Sequence, residues 1–352
     1  MPDEVVVAGA GFGGLSAALS MAGKGYSVKL IDKKKFHSYT PGLIDLIRNR
    51  VGEEKLKLDL ENFLEGTDVE FYEEEITSFE PEENRVLTEK SVYDYENLVV
   101  ALGSKLRDFG NNVSGLEKCY TYFQAESLAR KSDDAGEALV VGAGYVGIEI
   151  AGELAEKGLD VRIVDMVTRP LPNCPEKASE IALEYMNKKG IDFRGGRQVV
   201  EVNGETLECE SGEEISSDLI VWSTGIKCPE VVQESFGCDA EGLEVNSGLS
   251  CENFENVFAL GDCADHGVEK TAHHAMRMGE VVARNLEKPD KQPLEDYETG
   301  FDPLIVSIGD TALITGGGFT YRNFMLRYLK DLVRIGYFLS IKKKRLFLKF
   351  FG

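Results

Sequence analysis

Two stretches of the chain share one hydrophobic pattern. Residues 5–32 (VVVAGAGFGGLSAALSMAGKGYSVKLID) pass from an apolar strand through a glycine-rich turn into an amphipathic helix. A second apolar strand follows and ends in Asp. Residues 138–165 (ALVVGAGYVGIEIAGELAEKGLDVRIVD) repeat that order without a gap, and eleven of the 28 positions are identical. After the first copy, VEFYEEEITSFEP, NRVLTEKSVYDYENL and LVVALGS predict strands in a meander with polar turns between them. After the second, IDFRGGRQVVEVNGETLECESGEEISSDLIVWSTGI predicts further short strands. The run VFALGD predicts one more buried strand, with a helix starting near Lys270.

The turns carry the chemistry. They read G-x-G-x-x-G, with Gly9, Gly11 and Gly14 in the first copy and Gly142, Gly144 and Gly147 in the second. The first glycine permits a tight turn, the second lets backbone approach a pyrophosphate, and the third lets helix pack close to strand. Free N–H groups at the helix start, helped by its dipole, hold phosphate charge. Asp32 and Asp165 each follow the third glycine by 18 residues, where a carboxylate accepts hydrogen bonds from a ribose 2′-OH. A lone glycine turn is common punctuation, but strand, turn, helix, strand and acid recur here in one register. The fold class is therefore α/β, with two Rossmann-like dinucleotide-binding domains. Two such units imply that one cofactor is kept and is reduced by another that comes and goes. Asp165 repels a 2′-phosphate and so favours NADH over NADPH; Arg169, four residues on, works against that preference.

Three strand ends belong to the same reading. Tyr93-Asp94-Tyr95 leads into LVVALGS, which ends at Gly103 beside the first nucleotide. DLIVWSTG, ending at Gly225, repeats that pattern for the second. Asp262 follows a glycine at the carboxyl end of VFALGD, where ligands of open α/β sheets bind. The order predicts that the second domain is inserted into the first.

Length and charge narrow the picture. At 352 residues the chain suits two or three domains with proper cores. It has no run of 18 apolar residues, and its start enters a strand at once, so neither a membrane span nor a signal peptide is expected. Seven cysteines are dispersed without a C-x-x-C pair, and no spacing suggests a metal. A net charge of −22 argues against nucleic acid. Residues 322–352 nevertheless carry a local +8, so the remainder stands at −30. Residues 322–341 predict a helix with polar positions 323, 327, 330, 331 and 334 on one side. Met325, Tyr328, Leu329, Leu332, Gly336 and Leu339 line the other, and KKKR follows at 342–345. A basic helix with an aromatic apolar face is expected to lie in a membrane interface, drawn to anionic lipid.

Together these pieces resemble the FAD- and NAD(P)-linked pyridine nucleotide oxidoreductases over about residues 3–300. GAGFGG, GAGYVGIE, the VVALGS strand and FALGD occur in that family's order. Within the group the chain looks most like type II NADH:quinone oxidoreductases. The supporting segments are FHSYTPGL at 36–43 and DLIVWSTGI, and the missing redox dithiol agrees. The resemblance implies FAD held by Gly9, Gly11, Gly14, Asp32, Lys33, Gly103 and Asp262. It implies NADH on Gly142, Gly144, Gly147, Asp165 and Gly225, with Glu149 orienting the contact between the two cofactors. Hydride would pass from NADH to FAD, and electrons onward to a membrane quinone without proton pumping. The family's quinone motif, Ala-Gln-x-Ala-x-Gln, falls on Ala272-His273-His274-Ala275-Met276-Arg277, so both glutamines are replaced. His273, His274 and Arg277 are then the candidates to bind or protonate the quinone. His37 and Pro41 would shape the flavin pocket.

The domain boundaries implied are 1–110 and 245–300 for the FAD domain, 111–244 for the inserted NAD(H) domain, and 301–352 for membrane association through residues 320–352. The protein would sit peripherally on the cytoplasmic side of the cell membrane, with a homodimer left open. Rival readings are a soluble flavin reductase serving ferredoxin or another protein, and a non-catalytic flavoprotein redox sensor.

Overall fold

Long unbroken apolar runs need cover on both faces, and two parallel sheets provide it. The computed structural model describes residues 4–113, 115–287 and 293–351. In the first sheet the strands lie in the order Ser250–Cys251, Phe254–Ala259, Asn97–Val100, Glu4–Ala8, Ser27–Asp32, Val69–Glu73. All neighbours are parallel except the hairpin formed by the first two. In the second the order is Leu219–Trp222, Glu137–Val141, Asp160–Asp165, Asp192–Gly195, parallel throughout. The repeat seen in sequence is thus a repeat in space. In each unit the return strand lies on one side of the glycine-turn strand and the acid-bearing strand on the other. All the turns that matter leave from carboxyl ends.

The predicted meander divides. Val69–Glu73 joins the parallel sheet, while Ile76–Glu80, Arg85–Thr88 and Val92–Asp94 form a separate antiparallel layer. The chain crosses between units on a short antiparallel pair, Lys105–Leu106 with Ile226–Lys227. It is back on the first unit well before residue 245. Helix Glu230–Phe236 stacks Phe236 on Phe79 with ring centroids 5.3 Å apart, and Val232 shares a core with Val6 and Ala8. Residues 230–244, assigned from sequence to the second domain, therefore close the core of the first. Helix Phe12–Ala22 packs on Ala272–Asn285 so tightly that a Cβ on Gly279 would lie 2.5 Å from the Gly13 carbonyl oxygen.

The last fifty residues depart most from expectation. A three-stranded antiparallel sheet, Leu304–Ile308, Thr311–Gly316 and Phe319–Asn323, comes first and was not foreseen. Arg322 and Asn323, predicted to be helical, belong to its last strand. Asn323 Oδ1 then accepts from Met325 N at 2.8 Å, and a helix runs from Met325 to Phe351. Among the described residues no helix is long and apolar enough to cross a membrane.

Candidate active site

The two glycine turns have nearly the same geometry. Gly9 and Gly142 both sit at φ 105°, which side chains disfavour. A Cβ on Gly9 would lie 2.3 Å from the Ala101 carbonyl oxygen, and one on Gly142 2.2 Å from that of Ser223. Gly14 and Gly147 are crowded too, since their Cβ atoms would fall 1.8 Å and 2.0 Å from the carbonyl oxygens of Gly9 and Gly142. Gly11 and Gly144 have nothing within 4 Å. Each of these open glycines caps a helix, Phe12–Ala22 or Tyr145–Lys157, whose first N–H groups face the gap. The crowding shapes each turn, and the gap is what a diphosphate needs.

Each acid also braces its own turn. Asp32 Oδ2 accepts from Ala10 N at 2.7 Å and Oδ1 from Lys34 N at 2.9 Å. Asp165 Oδ2 accepts from Ala143 N at 2.5 Å and Oδ1 from Val167 N at 3.0 Å. Beside the first turn, Ser104 Oγ donates to Asp262 Oδ2 at 2.8 Å, and Lys270 Nζ donates to the Asp262 carbonyl at 2.9 Å. Burial holds the Asp262 carboxyl above its ordinary pKa. Gly103 and Gly225 both have left-handed φ, at 69° and 102°, just beyond their strands. Lys33 does not join this group. It lies at the surface, paired with Glu75 at 2.7 Å.

Glu149 is more than a helix-start acid. It is buried, and its Oε1 accepts from Ser307 N at 2.8 Å and from Lys330 Nζ at 2.5 Å. Glu153, one turn on, is fully buried and accepts from Arg50 Nε at 3.0 Å. Arg327 bridges Glu153 and Asp45, while Arg334 reaches Asp45 and pairs with Asp331. Burial pushes the Glu153 carboxyl up, against the pull of Arg50 and Arg327. Burial, with the Glu149 charge adding to it, also takes the neighbouring Cys119 thiol and Tyr39 hydroxyl to about 12. These groups stay protonated at neutral pH.

This cluster turns the cationic side of the C-terminal helix inward and leaves its apolar side outward. Arg327, Lys330 and Arg334 share one helical face and turn inward onto Asp45, Glu149 and Glu153. The apolar residues Met325, Tyr328, Leu332, Ile335 and Leu339 are each more than half exposed. Lys330 and its two arginines are the site residues that sequence reasoning placed on a lipid-facing surface. Their signal was present: cations at i, i+3 and i+7 match carboxylates at i and i+4 on the second unit's helix.

The three residues of the replaced quinone motif are bound elsewhere. His273 Nε2 lies 2.9 Å from Asp302, and Arg277 pairs with Asp302 at 3.2 Å and donates to the Glu298 carbonyl at 3.0 Å. His274 is buried with Nδ1 2.6 Å from the Tyr297 hydroxyl. They tie residues 297–302 to the start of helix Ala272–Asn285, apart from the Glu149 cluster.

His37 is buried against the first turn, its Nδ1 3.0 Å from the Ala10 carbonyl. Burial pushes its pKa down to about 4, and Lys34 adds to that, while the bond to Ala10 opposes it. The uncharged rings of Phe12 and Tyr337 lie against it, and Tyr39 packs on both of them. The unfolded chain takes up this proton near pH 6.5 but the folded one only near 4. Stability from this residue is thus full above 6.5 and is lost as pH falls toward 4. The loss is on the order of 3 kcal/mol. Denaturant melts across that window should show a steeper fall for the parent than for His37→Asn; equal slopes would count against it.

A family model described as pyridine nucleotide-disulphide oxidoreductase matches residues 3–279. The chain belongs to that family. This pyridine nucleotide-disulphide oxidoreductase is an FAD- and NADH-using enzyme, in keeping with its paired cradles. It is similar to a type II NADH:quinone oxidoreductase of Staphylococcus aureus, 25% identical with 87% of each chain covered. Its fold matches NDH2 from Plasmodium falciparum in complex with NADH, with TM-score 0.87 and 15% identity over 100% of this chain and 99% of the other. A ferredoxin reductase from Rhodopseudomonas palustris shares the fold at TM-score 0.78 and 23% identity, covering 89% and 81%. All seven cysteines of the chain are free, and six are buried.

Proposed function

We propose that the protein is an FAD-dependent NADH:quinone oxidoreductase seated on the cytoplasmic face of a membrane. The observation that carries this reading is the C-terminal helix, which offers exposed apolar side chains outward and Lys330 to Glu149 inward. An acceptor dissolved in lipid suits that arrangement better than a soluble protein acceptor does. The relatives named above include an enzyme of this activity.

FAD fits the first cradle through Gly9, Gly11, Gly14, Asp32, Gly103 and Asp262. NADH fits the second through Gly142, Gly144, Gly147, Asp165 and Gly225. When bound, FAD accepts a hydride from NADH and returns electrons to the acceptor. The chain's own residues align the two cradles. Reducing a quinone with one hydride consumes one further proton. The Glu149 carboxylate and Lys330 ammonium form the buried pair that can hold that proton at Oε1 or Nζ. His273, His274 and Arg277 serve in this reading to pin the 297–302 segment rather than to touch the acceptor.

Arg169 does not favour NADPH. Its guanidinium donates to Ser179 Oγ at 2.6 Å and to the carbonyls of Pro172 and Cys174 at 2.6 and 3.1 Å. Asp165 therefore faces a 2′-phosphate without Arg169 to offset it. NADH should exceed NADPH in kcat/KM by about 100-fold, a difference of roughly 3 kcal/mol. Asp165→Asn should narrow the gap; equal use of both by the parent would remove Asp165 from selectivity.

The acceptor is tested on the NADH-reduced protein. Quinone in detergent should reoxidise the flavin within the turnover time, ahead of ferredoxin, disulfide or oxygen. Reoxidation by ferredoxin alone would replace this reading with that of a soluble reductase.

A further inference from the structure

Each glycine turn fixes its middle alanine through both the N–H and the carbonyl of that residue. In the second unit the Ala143 carbonyl accepts from Leu171 N at 2.8 Å, a local backbone bond. In the first unit the matching carbonyl, that of Ala10, is held by a side chain, His37 Nδ1 at 3.0 Å. A carbonyl can only accept, so Nδ1 carries the proton and Nε2 is a bare acceptor. The Tyr337 hydroxyl lies 2.7 Å from Nε2 and therefore donates to it. A two-step hydrogen-bond chain thus runs from the C-terminal helix into the first phosphate turn. Its members are buried, His37 to 2% exposure and Tyr337 to 6%.

Other contacts strengthen the same grip. Phe12, which opens the helix after the turn, packs at 4.9 Å on the rings of both His37 and Tyr337. Phe338 lies 5.9 Å from Tyr39, and Arg327 pairs with Asp45, so segment 39–45 is held at both ends by the terminal helix. The duplicated unit serves as an internal reference. Both turns need the carbonyl fixed, yet only the first routes that bond through a distant element. A cofactor that stays benefits from a lock that opens only when a packed helix moves. One that must leave in every cycle does not.

We propose that His37 and Tyr337 are positioning residues for FAD, and that the C-terminal helix is the clasp that retains it. The inference rests on assigning the first turn to FAD and is independent of the electron acceptor. In the full-length holoprotein, Tyr337→Phe keeps the ring and removes only the hydroxyl. FAD release, followed as rising flavin fluorescence, should be about tenfold faster than in the parent, the loss of one buried hydrogen bond. His37→Phe, which loses both bonds, should release FAD faster still. NADH affinity, measured by titration, should change less than twofold in each. Lys343→Met, at an exposed position of the same helix, should release FAD at the parental rate.

A Tyr337→Phe protein that keeps FAD as long as the parent would overturn the clasp. Equal weakening of FAD and NADH binding would also overturn it, by showing general loosening. If His37→Phe fails to fold, Tyr337→Phe alone decides the matter. A parent that carries no FAD would instead defeat the cofactor assignment itself.

Discussion

Aspartate at Tyr328, Leu332 and Leu339 together should abolish co-sedimentation of this protein with lipid vesicles, whereas high salt should leave parental binding largely intact. These side chains are 66%, 62% and 62% exposed, so the folded body does not depend on them. Moving each out of water contributes roughly 1.5–3 kcal/mol, and losing all three weakens partitioning by at least about a thousandfold. The cations contribute much less than the sequence suggested. Arg327, Lys330 and Arg334 turn inward, Lys344 pairs with Glu280, and Arg345 donates to the carbonyls of Asn62 and Glu65. Lys342 and Lys343 remain exposed, each adding about 1 kcal/mol on an anionic surface, and that part is screened by salt. Vesicles of zwitterionic lipid should therefore bind nearly as well as anionic ones. Binding that survives the triple substitution but disappears in salt would show that charge dominates after all.

The second large effect is expected at Lys330. Lys330→Met should slow reoxidation of the NADH-reduced flavin by quinone about 100-fold, on the scale of a lost acid–base group. It should also destabilise the fold by roughly 3 kcal/mol, because a buried carboxylate is left without its partner. Adding Glu149→Gln removes the orphaned charge, so the double variant should regain much of the stability but none of the rate. Rapid mixing of the NADH-reduced proteins with quinone, and denaturant melts, on the four proteins of the cycle measure both quantities. A Lys330→Met enzyme reoxidised by quinone at the parental rate would take the pair out of the chemistry and leave it a structural tie.

Local chemistry explains why so much of the two cradles was legible. A glycine turn, its following helix and the closing acid lie within 28 residues, and backbone sterics dictate each step. Gly9, Gly14, Gly142 and Gly147 are crowded as the pattern requires, and Asp32 and Asp165 stand beside their turns. Lys33 pairs at the surface with Glu75, because adjacency in sequence does not set the direction of a side chain. His273, His274 and Arg277 could be placed on a helix start but not assigned partners, since Tyr297 and Asp302 arrive from a later loop.

The C-terminal helix shows where pattern reading stops. Its amphipathic spacing was evident in residues 325–339, and spacing alone fixes which residues share a face. Spacing does not say which face points inward. The usual rule buries the apolar side, yet here Asp45, Glu149 and Glu153 form a buried cluster of carboxylates that the cationic side neutralises together with Arg50. Those three acids come from two different units.

The order of apolar runs, glycines and acids determined by itself that this chain builds two dinucleotide cradles, because strand, turn and helix are set by neighbours in sequence. Tertiary structure alone decided how the cradles are joined and locked. The links that do this, Lys330 to Glu149, Arg327 to Asp45 and Tyr337 to His37, span 181 to 300 residues. Burial gives such ionic and hydrogen-bonded contacts their strength, and burial exists only once the whole chain has closed around them.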